Sequence, residues 1–374
     1  MKCETYTSVP EADGETGSLR TTDFHYVECC EETIQSMSDR VERAESIVIL
    51  GNRGIGKQFV LSRIRKAIAS DERVLLRLNC DEFVHSLKHL VDGTWDPWLE
   101  ALTTESNDTG IGPFAWKAAI KQFLGGSTTK NVVLFASNID ALPSGFAREF
   151  LQHLRELTQL PQDSPSRFSV VLSGAYDLKP LVYGENSEFH ISDQYILQGF
   201  SLPMMRGSFK SIAEVSGVGV VEECMTRLYN VSRGNQLFVR IILETVLERR
   251  RRNPSDTLGD LTDDELQQAM KSIGTHSMVY SDGMLRNFFR IEESPSSLEQ
   301  LCDLLLTGRC EIVADESKLD RAPPSDLELS GIARREKDGD VSCLKWATWL
   351  VEQLCRDHFT TWNLASTIFA CESP

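Results

Sequence analysis

The run Ile47-Val48-Ile49-Leu50-Gly51-Asn52-Arg53-Gly54-Ile55-Gly56-Lys57-Gln58 constrains this chain more than any other stretch. Four apolar, mostly β-branched residues read as a buried strand, and the next residues have the spacing of a phosphate-binding loop: Gly51, four residues, then Gly56 and Lys57. Gly51, Gly54 and Gly56 let the backbone curl so that its N–H groups point inward at phosphate oxygens, and Lys57 adds a point charge. The pattern closes with a Ser or Thr whose hydroxyl would meet magnesium. Gln58 stands there instead, so the loop promises a nucleotide site and withholds part of its metal chemistry.

Such a loop needs a strand before it and a helix after it. Ile34, Met37 and Val41 recur at helical spacing ahead of the strand, and Phe59, Val60, Leu61, Ile64 and Ile68 share one helical face behind it. Further apolar strands are expected at residues 74–78, 132–136 and 168–173, with a weaker fifth at 195–197. Helix-compatible stretches at 96–102, 115–124 and 147–157 lie between them, and alternation of this kind predicts a parallel sheet covered on both faces. Order is expected to begin near Phe24, after a polar flexible segment over 1–22. A core over 23–200 then gives way to helices at 204–216, 221–229 and 235–250, a helical lid over 201–275 with Leu237, Ile241, Ile242 and Val246 as core positions. From 276 to 374, short helices at 284–291, 298–306 and 327–332 precede two extended segments around Gly339, a pattern that predicts a winged helix.

Composition narrows the partners. With 39 basic and 55 acidic residues the formal charge is −16, and the 276–374 section holds 10 basic against 17 acidic residues. Charge of this sign disfavours nucleic acid and acidic membrane surfaces and favours a protein partner or effector, with an oligomer left open. The run Arg249-Arg250-Arg251-Arg252 closes the last lid helix, where cations complement the helix dipole; it reads first as a solvated helix end and second as a phosphate contact. Ten cysteines lie without C-x-x-C spacing, which reads as reduced thiols in a cytoplasmic protein, and neither a signal-peptide core nor a membrane-length apolar stretch is present. Seven histidines show no catalytic spacing; His85 and His89 stand four apart but lack a third metal ligand.

Hydrolysis of a nucleotide at this loop calls for an acidic residue at the tip of a neighbouring strand to hold magnesium, and a second to polarise water. After Val132-Val133-Leu134-Phe135-Ala136 the chain instead has Ser137-Asn138. A hydroxyl and an amide replace neither carboxylate. Asp140 is the one nearby acid, and it reads as a turn residue before it reads as a rescue ligand. No catalytic residue and no metal ligand is assigned.

These residues together resemble the STAND and origin-recognition-type AAA-like P-loop ATPases, particularly bacterial members with a C-terminal winged helix. Phe24-His25-Tyr26-Val27 resembles the family's segment before the first helix, and Gly51 to Lys57, Arg53 included, its phosphate loop. Residues 132–142 resemble its Asp-Glu-Ile-Asp-Ala-Leu strand end with the first two acids replaced. Phe168-Ser169-Val170-Val171-Leu172-Ser173-Gly174 resembles the sensor strand, in which Ser173 would face the terminal phosphate. Residues 228–238 resemble the lid motif in which Gly, any residue and Pro abut the adenine, with Gln236 in place of the proline.

The resemblance implies an α/β P-loop NTPase core, a lid and a winged helix. Gln58, Ser137 with Asn138, and Gln236 depart from it together, and their combination predicts a hydrolysis-deficient member, a pseudo-ATPase acting as a nucleotide-binding or nucleotide-independent switch or scaffold, with bacterial conflict or signalling as the setting that the resemblance implies. The expected ligand-binding residues are Gly51, Asn52, Arg53, Gly54, Ile55, Gly56, Lys57, Gln58, Ser173 and Gln236. ATP or ADP is compatible with what remains, and magnesium is left open. The alternatives are a weakly active ATPase using Asp140 and an origin-recognition-like DNA binder acting through the winged helix and the arginine run.

Overall fold

The computed structural model describes residues 24–52, 54–70, 72–81, 131–142, 144–159, 167–175, 178–182, 189, 193–216, 219–252, 259–272, 295–312, 325–338, 341–348, 350–353 and 355–356. Segment 1–22 and the helices expected at 96–102, 115–124 and 284–291 lie outside them.

Six strands, β1 (Phe24–Cys29), β2 (Ile47–Leu50), β3 (Arg73–Asn79), β4 (Asn131–Ser137), β5 (Phe168–Gly174) and β6 (Asp193–Phe200), form one sheet in the order β1-β6-β2-β5-β4-β3. Every pairing is parallel. Both faces are covered, which is why the central strands read as continuous apolar runs. On one face Ile47, Ile49, Val133, Phe135, Val171, Tyr195 and Leu197 meet α1 (Glu31–Glu42) and α2 (Lys57–Ala67). On the other, Val48, Leu50, Val132, Leu134, Val170 and Leu172 meet Phe150, Leu151, Leu154 and Leu157 of α3 (Ser144–Thr158). This is the covered parallel sheet that the alternation of strands and helices predicts, in the α/β P-loop NTPase arrangement that the resemblance implies.

Two elements differ from the sequence reading. Residues 195–197 are the middle of the eight-residue β6, which lies between β1 and β2. Gln194 at its start and Gly199 near its end hide its length. Segment 24–27 is an edge strand: Phe24 to Val27 pair with Gln194 to Leu197.

A short α4 (Lys179–Val182) precedes β6, and after the sheet come α5 (Leu202–Ser216), α6 (Glu222–Ser232), α7 (Gln236–Arg252) and α8 (Asp263–Ser272). In α7, Leu237, Ile241, Ile242 and Val246 are buried as their spacing requires. The C-terminal section carries α9 (Pro295–Thr307), β7 (Arg309–Glu311), α10 (Asp326–Leu329), β8 (Ala333–Asp338) and β9 (Val341–Trp346). Its strands make an antiparallel sheet in the order β7-β9-β8, with Asp338 opposite Val341 across the expected turn. The helix expected over 327–332 is shorter: a capping box of Ser325 and Glu328 opens it and it stops at Leu329. One apolar cluster runs from α1 and α2 through α7 to Leu344 and Val351, so lid and C-terminal section share the core of the sheet's first face.

The lid joins the sheet through one close backbone contact. Phe200 N–H donates to Gly234 O at 3.0 Å, and Gly234 has φ +72°. A Cβ there would fall 2.0 Å from Phe200 O, a backbone atom that cannot step aside. Gly234→Ala should therefore lose on the order of 3 kcal/mol in urea unfolding. Gly207→Ala is the control: exposed in α5 with nothing within 4 Å of the added methyl, it should gain about 0.5–1 kcal/mol.

Candidate nucleotide-binding site

Strand β2 is hydrogen-bonded to β5 and β6, neither its neighbour in sequence, and its C-terminal end therefore opens into a crevice of the kind where parallel sheets hold ligands. The phosphate loop leaves the strand directly. Gly54 and Gly56 have φ values of +79° and +110° and carry the chain round into α2, whose first residue is Lys57. Lys57 is 9 % exposed, and its Nζ donates to Gly51 O at 2.7 Å and Asn52 O at 2.8 Å. The ammonium thus rests on the rim of its own loop, where phosphate oxygens would replace those two carbonyls.

Of the other expected residues, Asn52 and Ile55 are buried, Gln58 is exposed on the first turn of α2, and Arg53 lies outside the described residues. Ser173 stands opposite Ile49 on β5, fully buried, with no hydrogen-bond partner for its Oγ. An orphaned buried hydroxyl beside the loop strand is an unmet polar group that a ligand or water would satisfy. Gln236 opens α7, half-buried, and its Nε2 reaches Gly234 O at 3.5 Å.

Sequence reading missed the residue that ties lid to loop. Leu237 N–H is shared between Asn235 Oδ1 at 3.0 Å, which caps α7, and Gly54 O at 3.1 Å, while the Leu237 side chain packs on Gly54. The lid thus touches the phosphate loop one residue beyond Gln236. Leu237 is legible as a core position of α7, but nothing in its spacing says which partner it covers.

The strand end that should carry acids is committed elsewhere. Ser137 is 2 % exposed and its Oγ donates to Leu78 O at 3.3 Å. Asn138 takes a left-handed conformation, φ 56° and ψ 43°, which suits asparagine, and its Nδ2 donates to Asn79 Oδ1 at 3.0 Å. Asp140 lies in a single 3-10 turn, and its Oδ1 accepts the Ala175 N–H at 2.8 Å, tying β4's exit to β5. These residues do not fit magnesium. The ion asks for anionic oxygen ligands, and this strand end offers a hydroxyl and an amide turned to β3 and one carboxylate holding a turn. The glycine loop and Lys57 do fit a phosphate chain.

Neither reading of the arginine run describes Arg249 and Arg250. Arg250 bonds the Glu265 carboxylate at 2.7 and 2.9 Å and also reaches Gly259 O and Asp260 O, and Arg249 reaches Gln268 Oε1 at 2.7 Å. They clamp the end of α7 to α8. The Arg250 bonds, assisted by the Thr262 N–H and hydroxyl, hold the Glu265 carboxyl down at about 2. Its ordinary value is 4.5, so the clamp contributes fully above pH 4.5 and is lost as pH falls from there toward 2. In urea unfolding across that range, the stability gap between wild type and Glu265→Gln should be constant above pH 4.5 and should close as the pH is lowered.

No protein-family model and no curated protein sequence matches the chain. Among solved structures it is similar to the Aeropyrum pernix ORC1 protein in complex with DNA (15 % identity, 88 % of this chain and 93 % of that one, TM-score 0.42). It is also similar to the A. pernix ORC2 protein in ADPNP–ADP complexes (12 %, 92 % and 95 %, 0.48) and to Cdc6p of Pyrobaculum aerophilum (12 %, 92 % and 94 %, 0.44). The reading of nucleic acid as an unlikely partner, made from charge, is corrected by the first of these, a protein in complex with DNA. A net charge of −16 is a sum over the whole surface, and contact depends on the local field. Among the described residues no helix is long and apolar enough to cross a membrane.

Proposed function

We propose that this chain is a P-loop nucleotide-binding switch that holds ATP or ADP on the Gly51 to Lys57 loop without using hydrolysis as its working step. Nucleotide occupancy is passed to the lid, and the core at 23–200, lid at 201–275 and winged-helix-like section at 276–374 are the units that respond. The observation that carries this reading is the fate of the strand end after β4. Ser137 and Asn138 are bonded to Leu78 and Asn79, so the groups that would hold magnesium and activate water are replaced by groups that fasten two strands. Magnesium normally offsets the charge that develops on the transferred phosphoryl group. Without acid and base, catalysis loses contributions often worth orders of magnitude each.

Binding has separate requirements. Backbone amides of the loop and the charge of Lys57 supply the recognition of phosphate, and the bond from Leu237 to Gly54 gives the lid a way to sense a change in the loop. The Asp140 route to a slow ATPase is the weaker reading, because that carboxylate holds the Ala175 amide. A role in bacterial conflict or signalling rests on the STAND side of the sequence resemblance.

Titration with ATP and ADP, with magnesium and in chelator, tests the proposal alongside phosphate release. Expected are metal-independent binding, weakened at least about tenfold by Lys57→Ala, equivalent to about 1.4 kcal/mol, and phosphate release no faster than in that variant. Magnesium-dependent release abolished by Lys57→Ala would overturn the switch reading in favour of an enzyme. Absence of binding under both conditions would overturn the nucleotide reading itself.

A further inference from the structure

Asn52 has two commitments. Its backbone carbonyl accepts one of the two bonds that Lys57 makes to the loop, and its side chain, in a residue only 5 % exposed, faces the C-terminal section. There the turn between α10 and β8 brings Gly331, φ +77°, so close that a Cβ on it would lie 2.0 Å from Asn52 Nδ2. Between loop and turn remains a cavity of about 40 Å³, lined by Tyr26, Asn52, Ile55, Arg233, Glu328 and Arg334 among others. That is room for a few water molecules, against about 300 Å³ at the small end of ligand pockets. Asn52 Oδ1 and Arg334 Nε both lie buried here without hydrogen-bond partners. A seam that leaves polar atoms unmet is a contact that can be given up.

What fastens the seam is also separable. The strong buried ion pair, Glu328 with Arg335 at 2.9 and 3.1 Å, lies wholly inside the C-terminal section, so it moves with that section and is not broken by undocking. Across the seam run the Lys179 to Asp326 ion pair at 3.0 Å, the Arg335 guanidinium over the Tyr26 ring at 4.9 Å, and the Glu328 carboxylate beside the Tyr26 phenol. These polar contacts are modest beside the apolar core that the C-terminal section shares with the sheet and lid, so the Gly331 turn can lift off the loop locally while that core stays closed.

We infer that docking of the Gly331 turn and filling of the phosphate cradle exclude one another, with Asn52 as the residue they share. This rests on the nucleotide-binding reading above. While the turn is docked, Asn52 is pinned from outside and Lys57 holds its carbonyl from inside. A phosphate chain draws Lys57 off the loop rim, the loop relaxes around it, and the turn loses its seat. By linkage the C-terminal section then lowers nucleotide affinity as much as nucleotide lowers its docking.

The test uses the full chain and fluorescently labelled ATP in chelator. Gly331→Ala, which forces the turn off Asn52, and Lys179→Asp, which removes a fastening far from the loop, should each bind at least about tenfold tighter than wild type. The double variant Lys179→Asp with Asp326→Lys should return to wild-type affinity, which a merely misfolded Lys179 variant would not. Equal affinity in all forms overturns the exclusion and leaves nucleotide binding intact. Weaker binding in both undocked variants overturns it by reversing the sign, and no binding in any form removes the nucleotide reading along with it.

Discussion

Everything in this fold hangs on the short strand β2. Ile47, Val48, Ile49 and Leu50 are all fully buried, hydrogen-bonded in register on both sides, and packed into both apolar clusters at once. Such a strand cannot shift by one residue without exchanging its two faces. Its end is therefore a fixed point, and the loop that leaves it inherits that precision: Gly51 emerges beside Leu197 of β6, and α2 starts where Lys57 can turn back on the loop. The lid then meets the loop at Gly54 and the C-terminal turn meets it at Asn52, so two distant parts of the chain are positioned by contact with one short loop.

How much of this is legible in the sequence depends on the range of the interactions. Strands buried on both faces advertise themselves, because few polar residues are tolerated there, and β2, β4 and β5 are readable to within a residue or two. Strand β6 is not, since Gln194 is a buried amide that looks polar in sequence, its Nε2 donating to Val182 O at 2.6 Å while its Oε1 has no hydrogen-bond partner. The capping box at Ser325 and Glu328 is a local signal that marks the start of α10, and the helical spacing of its apolar residues obscured it. The loop residues are legible as a motif, but their partners are not: Leu237 on Gly54 and Gly331 on Asn52 are contacts across long stretches of chain with no periodicity to betray them. Arg250 shows the converse error. A run of four arginines reads as one surface feature, while the fold makes two of them clamps.

The Ser137-Asn138 pair after β4, where the resemblance leads one to expect two acids, has a structural side that sequence alone could not supply. Two carboxylates at a buried strand end repel one another and are costly to desolvate unless a cation sits between them. Ser137 is 2 % exposed, and in its place an aspartate would need that cation to be comfortable. With Ser and Asn the same positions gain hydrogen bonds to Leu78 and Asn79, and the chain turns through Asn138 in a conformation that few other residues adopt readily. The strand end is therefore stable without metal. The two side chains fix the β3–β4 edge.

That exchange bears on which motions remain available to the nucleotide site. A metal-dependent engine couples its loop to the neighbouring strand end through the ion, and product release resets both. Here Ser137 and Asn138 are bonded to β3, so on the proposed reading the strand end offers no acidic group through which an ion would couple it to Lys57. Among the described contacts of the loop, those of Gly51 and Gly56 lead to Leu197 and Phe200 of β6, while those of Gly54 with Leu237 and of Asn52 with Gly331 lead away from the sheet. On the proposed switch reading, a change in the loop would therefore reach the lid and the C-terminal section through contacts that binding alone can make and break.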